Sequence, residues 1–279
     1  LTLQGTAVAA FAPAKINLAL HVTGRRPDGY HLLDSLVVFA DIGDRLKVAL
    51  SPGAPSMTVT GPMAEGVPAD GRNLCLRAAY LFGADAAIAL EKHLPAEAGI
   101  GGGSSDAAAV LRALTALTGR PVPPGTEALG ADVPVCLDAH ATRMRGIGEV
   151  LAKVPALPPL NAVLVNPGVA VPTPEVFRRL ATPDNAPMPE LPALADPAAL
   201  ALWLGDTRND LEAPAREVAP VIGEVLSALE AQPGCLLARM SGSGATCFGL
   251  YPDTDSAGKA AAALREAQPG WWIHPTILR

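Results

Sequence analysis

The segment Pro95, Ala96, Glu97, Ala98, Gly99, Ile100, Gly101, Gly102, Gly103, Ser104, Ser105 constrains this chain most, because a glycine-rich turn there leads straight into an Ala- and Leu-rich run. Glycines lack Cβ, so their backbone N–H groups approach a phosphate closely. The unpaired donors and the dipole of a following helix favour negative charge at the same spot. Ser104 or Ser105 is expected to cap that helix, and either hydroxyl is placed to reach a phosphate or its metal. A capped helix after a flexible turn is the alternative reading of the same residues.

With 279 residues the chain has room for one large domain or two modest ones. Hydrophobic residues make up 49% and charged residues 17%, as in ordinary globular enzymes, whereas aromatics are only 4%, so each aromatic is worth placing. A net charge of −6 argues against a nucleic-acid surface, which needs basic patches; bound anions must be held locally. Cys75, Cys136, Cys235 and Cys247 lack C-x-x-C spacing and sit among apolar residues, as reduced core thiols do. No apolar run reaches the roughly 18 residues of a membrane span. No basic residue precedes Lys15 to form a signal n-region. The expectation is a cytoplasmic protein without membrane attachment. The histidines show no paired ligand spacing, so no dedicated metal site is expected; a metal would arrive with a nucleotide.

From Lys15 to Thr23 the residues alternate, with Ile16, Leu18, Leu20 and Val22 on one face and Lys15, Asn17, Ala19 and His21 on the other. This predicts a strand that sets Lys15 and Asn17 side by side. Gly24 to Gly29 is a turn by its Pro27-Asp28-Gly29 chemistry, and Tyr30-His31 open a second apolar strand. Helical spacing covers Asn73 to Phe82 and stops at Gly83; Ala86 to Lys92 reads as a strand and Ser104 to Thr118 as a helix ending at Gly119. Asp132 lies between a small-residue turn and an apolar segment read as a strand. Pro155 to Pro159 reads as a linker. Beyond it come a strand over Ala162 to Asn166, then a helix with Thr173 as N-cap and Pro174 at its first position. Further helices are expected over 198–204, 211–218, 222–230 and 256–267, with strands over 236–240, 246–251 and 272–274.

Three small-residue signatures occur in order: Pro13-Ala14-Lys15-Ile16-Asn17, the Gly99 to Ser105 loop, and Ser241-Gly242-Ser243-Gly244-Ala245. Together they resemble the GHMP kinase superfamily, named for galactokinase, homoserine, mevalonate and phosphomevalonate kinases. Asp28-Gly29-Tyr30-His31, Gly130-Ala131-Asp132-Val133-Pro134 and Pro172-Thr173-Pro174-Glu175-Val176-Phe177 are similar to the branch that phosphorylates 4-diphosphocytidyl-2-C-methyl-D-erythritol. One departure is a connection between Gly119 and Asp132 shorter than the family pattern, with Pro121, Pro123 and Pro124 where a helix usually runs. Other nucleotide sites are absent: Gly258-Lys259 is followed by Ala260, so there is no Walker A loop, and protein-kinase signatures are missing.

The resemblance implies an α+β, two-domain GHMP kinase fold. Residues 1–156 would form a ribosomal-protein-S5-like nucleotide-binding domain and residues 157–279 a ferredoxin-like C-terminal domain. It implies ATP as co-substrate, with Mg²⁺ carried on it, wrapped by Pro95 to Ser105. Asp132 corresponds to the catalytic base, with Lys15 holding it ionised and offsetting charge on the transferring group. Tyr30, His31 and Phe177 match positions that stack on and hydrogen-bond to cytosine, and Asn17 and Thr173 would face the same substrate. Plainer readings stay open for each: a turn or cap for Asp132, a surface strand lysine for Lys15, core packing for Phe177, a helix cap for Thr173. Rival activities are homoserine or mevalonate kinase, or a nucleotide-binding regulator without catalysis. Partners are expected to be small molecules, the chain being a monomer or homodimer.

Overall fold

The computed structural model describes residues 6–194 and 196–279. Two long paired strands open the chain, β1 (Ala7–Arg25) and β2 (His31–Leu50), joined through the predicted turn, where Gly29 takes φ 94°. Then follow β3 (Ser56–Thr60), α1 (Leu74–Phe82), β4 (Ala86–Glu91), α2 (Gly102–Thr118) and α3 (Val133–Asp138). The chain continues through β5 (Thr142–Gly146), β6 (Val150–Lys153), β7 (Leu160–Asn166), α4 (Thr173–Arg178), α5 (Pro197–Gly205), α6 (Glu212–Val218) and α7 (Val221–Glu230). It ends with β8 (Leu237–Met240), β9 (Cys247–Tyr251), α8 (Thr254–Ala267) and β10 (Trp272–Leu278).

Contacts divide these elements into two compact units, neither of them one continuous run of sequence. The first holds the described residues up to Lys15, Ile42–Ala96 and Gly101–Ala139; the second holds Ile16–Asp41, Glu97–Ile100 and His140–Arg279. The cause is strand length: β1 and β2 run to 19 and 20 residues, and each gives part of itself to either unit.

In the first unit β3 lies parallel to β4, and β4 pairs antiparallel with Arg45–Leu50 of β2. Asn73 caps α1 by accepting from the Cys75 N–H at 2.9 Å, and Gly83 ends the helix in the left-handed region. α1 packs on α2, whose run Ala107, Ala108, Ala109, Val110, Leu111 is wholly buried. Alanines at these positions let neighbouring backbones lie close on every side of the helix.

The second unit continues β2 into β10, β7, β9 and β8, while β5 pairs with Leu33–Val37 of β2 and with β6. α7 presents Ile222, Val225, Leu226 and Leu229 at helical spacing to a core that includes Val163, Val165, Cys247, Tyr251 and Leu264. Asp253 caps α8 through the Ser256 N–H at 2.8 Å.

The fold corrects several local expectations. α2 begins at Gly102 with Gly101 at its N-cap, so Ser104 and Ser105 lie inside the first turn rather than capping it. Val133-Pro134 starts a helix, not a strand: Pro at the first turn sacrifices no intrahelical bond. Thr173 is the first residue of α4, behind Pro172 at the N-cap. β1 has no polar face, because every residue from Ala12 to Val22 is buried, Lys15, Asn17 and His21 included.

Gly43 is the tightest backbone approach in the first unit: a Cβ there would lie 2.2 Å from the Ala12 carbonyl oxygen and 2.7 Å from the Pro13 Cα. Gly43→Ala should therefore destabilise the protein by about 2 kcal/mol or more, the range of core overpacking. Equilibrium urea unfolding checks this; a change below about 0.5 kcal/mol would show that β1 and β2 separate without cost.

Candidate active site

In the first unit, Gly101 adopts φ 63°, a conformation that only glycine takes up readily, and from it α2 starts with no side-chain cap. The first-turn N–H groups are thus left for an external acceptor. Directly beside that turn, Lys15 Nζ and Asp132 Oδ2 form an ion pair at 2.8 Å. A Cβ on Gly101 would lie 3.1 Å from the Lys15 Cβ and 3.8 Å from Asp132 Oδ2, so the pair borders the loop itself. The Lys15 side chain is only 5% exposed whereas that of Asp132 is 30% exposed. Lys15 is therefore no surface lysine. Asp132 holds the N-cap position of α3 without capping it, which leaves its carboxylate for the lysine and for a group arriving from solvent.

Behind the same turn sits a second, fully enclosed charge cluster that the sequence did not announce. Lys92 Nζ donates to Asp44 Oδ2 at 2.5 Å and to Asp106 Oδ2 at 2.9 Å, and all three side chains are buried. Burial pulls the Lys92 ammonium down, yet the two carboxylates outweigh it and hold its pKa above the usual lysine value. Burial, with Asp44 adding to it, pushes Asp106 up to about 7 against the pull of Lys92. The signals were a strand-end lysine, one of five in the chain, and one acid in an alanine-rich helix.

In the second unit, the His31 and Phe177 rings stack at 4.7 Å between centroids with 21° between planes. Phe177 also packs on the apolar core. Tyr30, next to His31, is 63% exposed. Thr173 Oγ1 lies 2.7 Å from Ser243 Oγ, a hydrogen bond that ties α4 to the Ser241–Ala245 turn. Asn17 is buried; its Nδ2 donates to Ser35 Oγ at 2.7 Å and its backbone N–H to Ser241 Oγ at 3.1 Å. The same turn is braced by Asn209, whose Nδ2 donates to the carbonyls of Met240 and Gly242, both at 2.8 Å. Glu97–Ile100 lies against it: Ser241 Oγ donates to the Gly99 carbonyl at 3.1 Å and Thr246 N–H to that of Ala98 at 3.2 Å. A Cβ on Gly99 would strike the Ser241 carbonyl oxygen at 2.6 Å, so this packing requires glycine.

For a metal, the described residues contain no cluster of three or more His, Cys, Asp or Glu side chains. Oxygen donors do border the loop, from Ser104, Ser105 and Asp132, and the buried Ser105 Oγ has no hydrogen-bond partner. That donor set suits a hard cation carried on phosphate oxygens. Among the described residues no helix is long and apolar enough to cross a membrane.

A glycine loop feeding an open helix N-terminus, beside a Lys–Asp pair, is suited to holding an anion such as a phosphate group, and the known proteins it resembles give the class, a small-molecule kinase. Residues 73–137 match the GHMP kinases N terminal domain and residues 189–270 the GHMP kinases C terminal domain. A protein of Dinoroseobacter shibae named 4-diphosphocytidyl-2-C-methyl-D-erythritol kinase is 62% identical over 98% of this chain and 95% of its own length. A protein of the same name from Paracoccus denitrificans is 59% identical, over 94% of this chain and 93% of its own. A crystal structure of 4-(cytidine 5'-diphospho)-2C-methyl-D-erythritol kinase superposes with a TM-score of 0.77 at 39% identity, covering 97% of this chain and 99% of that one. The chain belongs to the 4-diphosphocytidyl-2-C-methyl-D-erythritol kinase family of GHMP kinases, with their α+β fold.

Burial lowers the pKa of His31 from 6.5, and the positive charge of Arg25 lowers it further. The ring that stacks on Phe177 is accordingly neutral at pH 7. NMR titration should place its midpoint below 6.5, and Arg25→Gln should move that midpoint upward. A midpoint at or above 6.5 would mean that the ring is solvated and not held in the stack.

Proposed function

We propose that this chain transfers the γ-phosphoryl group of ATP to the 2-hydroxyl of 4-diphosphocytidyl-2-C-methyl-D-erythritol, in the non-mevalonate route to isopentenyl diphosphate. The relatives carry the name of that kinase and belong to an ATP-using family. The observation that carries the chemistry is the Lys15–Asp132 pair set against Gly101 at the open N-terminus of α2. Phosphoryl transfer asks the protein mainly to position phosphates, offset their charge and aim the nucleophile. Pro95 to Ser105 supplies backbone N–H groups for the phosphates. Asp132 accepts the proton of the substrate hydroxyl as that oxygen bonds to the γ-phosphorus and the bond to the β-phosphate oxygen breaks, releasing ADP, and Lys15 holds the carboxylate in place and offsets charge on the transferring group. A magnesium ion carried on the nucleotide would meet the Ser104 or Ser105 hydroxyl and would screen the phosphate oxygens.

For the cytidine end, the stacked His31 and Phe177 and the exposed Tyr30 support an aromatic platform for a base, with a stacking contribution of about 1–3 kcal/mol. Thr173 and Asn17 belong to the same substrate side. This reading keeps the sequence division at residues 1–156 and 157–279, a cytoplasmic location, no nucleic-acid partner and a monomer or homodimer. The −6 net charge supports the absence of a nucleic-acid surface.

The test is ADP release with Mg-ATP and the cytidine substrate, beside homoserine and mevalonate. Turnover is expected with the cytidine compound alone; turnover with another acceptor would overturn the substrate assignment. Asp132→Asn should cut kcat by about 10² or more with ATP binding nearly unchanged. Unchanged turnover would remove Asp132 from proton transfer. Tyr30→Ala should raise KM for the cytidine substrate far more than for ATP, and equal losses for both would instead assign Tyr30 to folding.

A further inference from the structure

The enclosed cluster behind the first turn of α2 has no part in the chemistry above, yet its geometry is specific. Lys92 lies just before the loop and Asp106 just after it, and Lys92 Nζ bridges them through its 2.9 Å bond to Asp106 Oδ2. The other arm reaches β2: Asp44 Oδ2 takes the 2.5 Å bond from Lys92, while Asp44 Oδ1 accepts the N–H groups of His93 at 2.6 Å and Leu94 at 2.9 Å. Leu94 immediately precedes Pro95, the first residue of the loop. A Cβ on Gly102 would lie 3.5 Å from Lys92 Nζ and 3.9 Å from Asp44 Oδ2, so the cluster supports the first helical turn from beneath.

We propose that Lys92, with Asp44 and Asp106, is a positioning clasp: it fastens the entry and exit of the ATP-phosphate loop to β2 and sets the direction in which the α2 N-terminus points. The inference rests on the ATP reading of Pro95 to Ser105. Two costs show that the arrangement is not simply the most stable filling of this space. Three ionisable side chains are held out of water, where a well-packed apolar trio is often as stable or more so. Asp106 Oδ1 is buried with no hydrogen-bond partner, a desolvation cost of about 1–3 kcal/mol. The return is preorganisation. The residues from His93 to Gly101 form a loop that runs into the first turn of α2, and tying its two ends removes closure freedom that nucleotide binding would otherwise have to remove.

The informative variant is Asp106→Ala, because it leaves the Lys92–Asp44 pair intact and strands no unpaired buried charge. Its expected effect is a KM for ATP raised about tenfold, with KM for the cytidine substrate within twofold, since misplacing a binding group by about 1 Å already costs up to a hundredfold. Asp106→Asn, whose amide oxygen still accepts from Lys92, should recover KM for ATP to within threefold. Calorimetric titration with a non-hydrolysable ATP analogue gives the same comparison without turnover, and the unfolding midpoint of each variant without nucleotide reports on folding. Should Asp106→Ala fail to fold, Asp106→Leu, which refills the volume without the charge, takes its place with the same expectation. Equal rises in both KM values, an unchanged KM for ATP in the alanine or leucine variant, or an asparagine variant as impaired as alanine would each overturn the clasp. Failure of the unaltered protein to bind the analogue would instead overturn the ATP reading, and the clasp with it.

Discussion

The constraint on which the architecture depends is that β1 is buried on both faces. A half-buried strand leaves its polar residues in water, but here Lys15, Asn17 and His21 lie inside and each must find partners or carry the cost of desolvation. Lys15 is answered by Asp132 at 2.8 Å, Asn17 by Ser35 and the Ser241 hydroxyl. His21 Nδ1 donates to the Ala186 carbonyl at 3.1 Å, and Nε2 accepts the Arg208 N–H at 3.2 Å. That pattern needs a neutral ring, in keeping with a pKa lowered chiefly by burial. Each interior polar residue of β1 thus brings a segment distant in sequence to a fixed place. In the first unit one such segment carries the carboxylate proposed to do the chemistry.

Legibility in the sequence follows how local the determining physics is. Turn and cap chemistry acts over a few residues, so the stop of α1 at Gly83, the turn around Gly29 and the span of α7 were readable directly. The glycine loop was readable for the same reason, whereas the helix start was misplaced. Serines suggested a cap, but the backbone reverses at Gly101, whose positive φ outweighs side-chain preference. The second face of β1 was unreadable because alternation records one covering layer and cannot reveal the other. Lys92, Asp44 and Asp106 escaped for a further reason. A charged residue reads as exposed until its partners are known, and these partners lie 48 and 14 positions away. The short strands β3, β5 and β6 have weak patterns of their own and are fixed by pairing, β3 with β4, β5 with β2 and β6 with β5.

The two lysine–carboxylate arrangements beside α2 divide the electrostatic work by their exposure. In the Lys92 cluster the side chains are at most 4% exposed, and no water can relax around a change of charge. Such a group is poorly suited to exchange protons in every turnover, but well suited to fix geometry, since displacing one partner strands the others in a medium of low dielectric. The Lys15–Asp132 pair is built differently, with the ammonium buried and the carboxylate 30% exposed. Solvent reaches the carboxylate, while the ammonium, held in place by β1, keeps a fixed positive charge beside Gly101 at the start of α2. A pair in contact at intermediate dielectric interacts by several kcal/mol. That strength fixes the carboxylate beside the lysine, and its exposed side is where the proposed base would meet a hydroxyl. Exchanging the two exposures would undo both proposed roles: an enclosed carboxylate could not meet a substrate, and a solvated clasp would lose its rigidity to water. The difference in burial, set by where β1 and β4 run, is therefore what fits the same two residue types to the two roles proposed for them beside the first turn of α2.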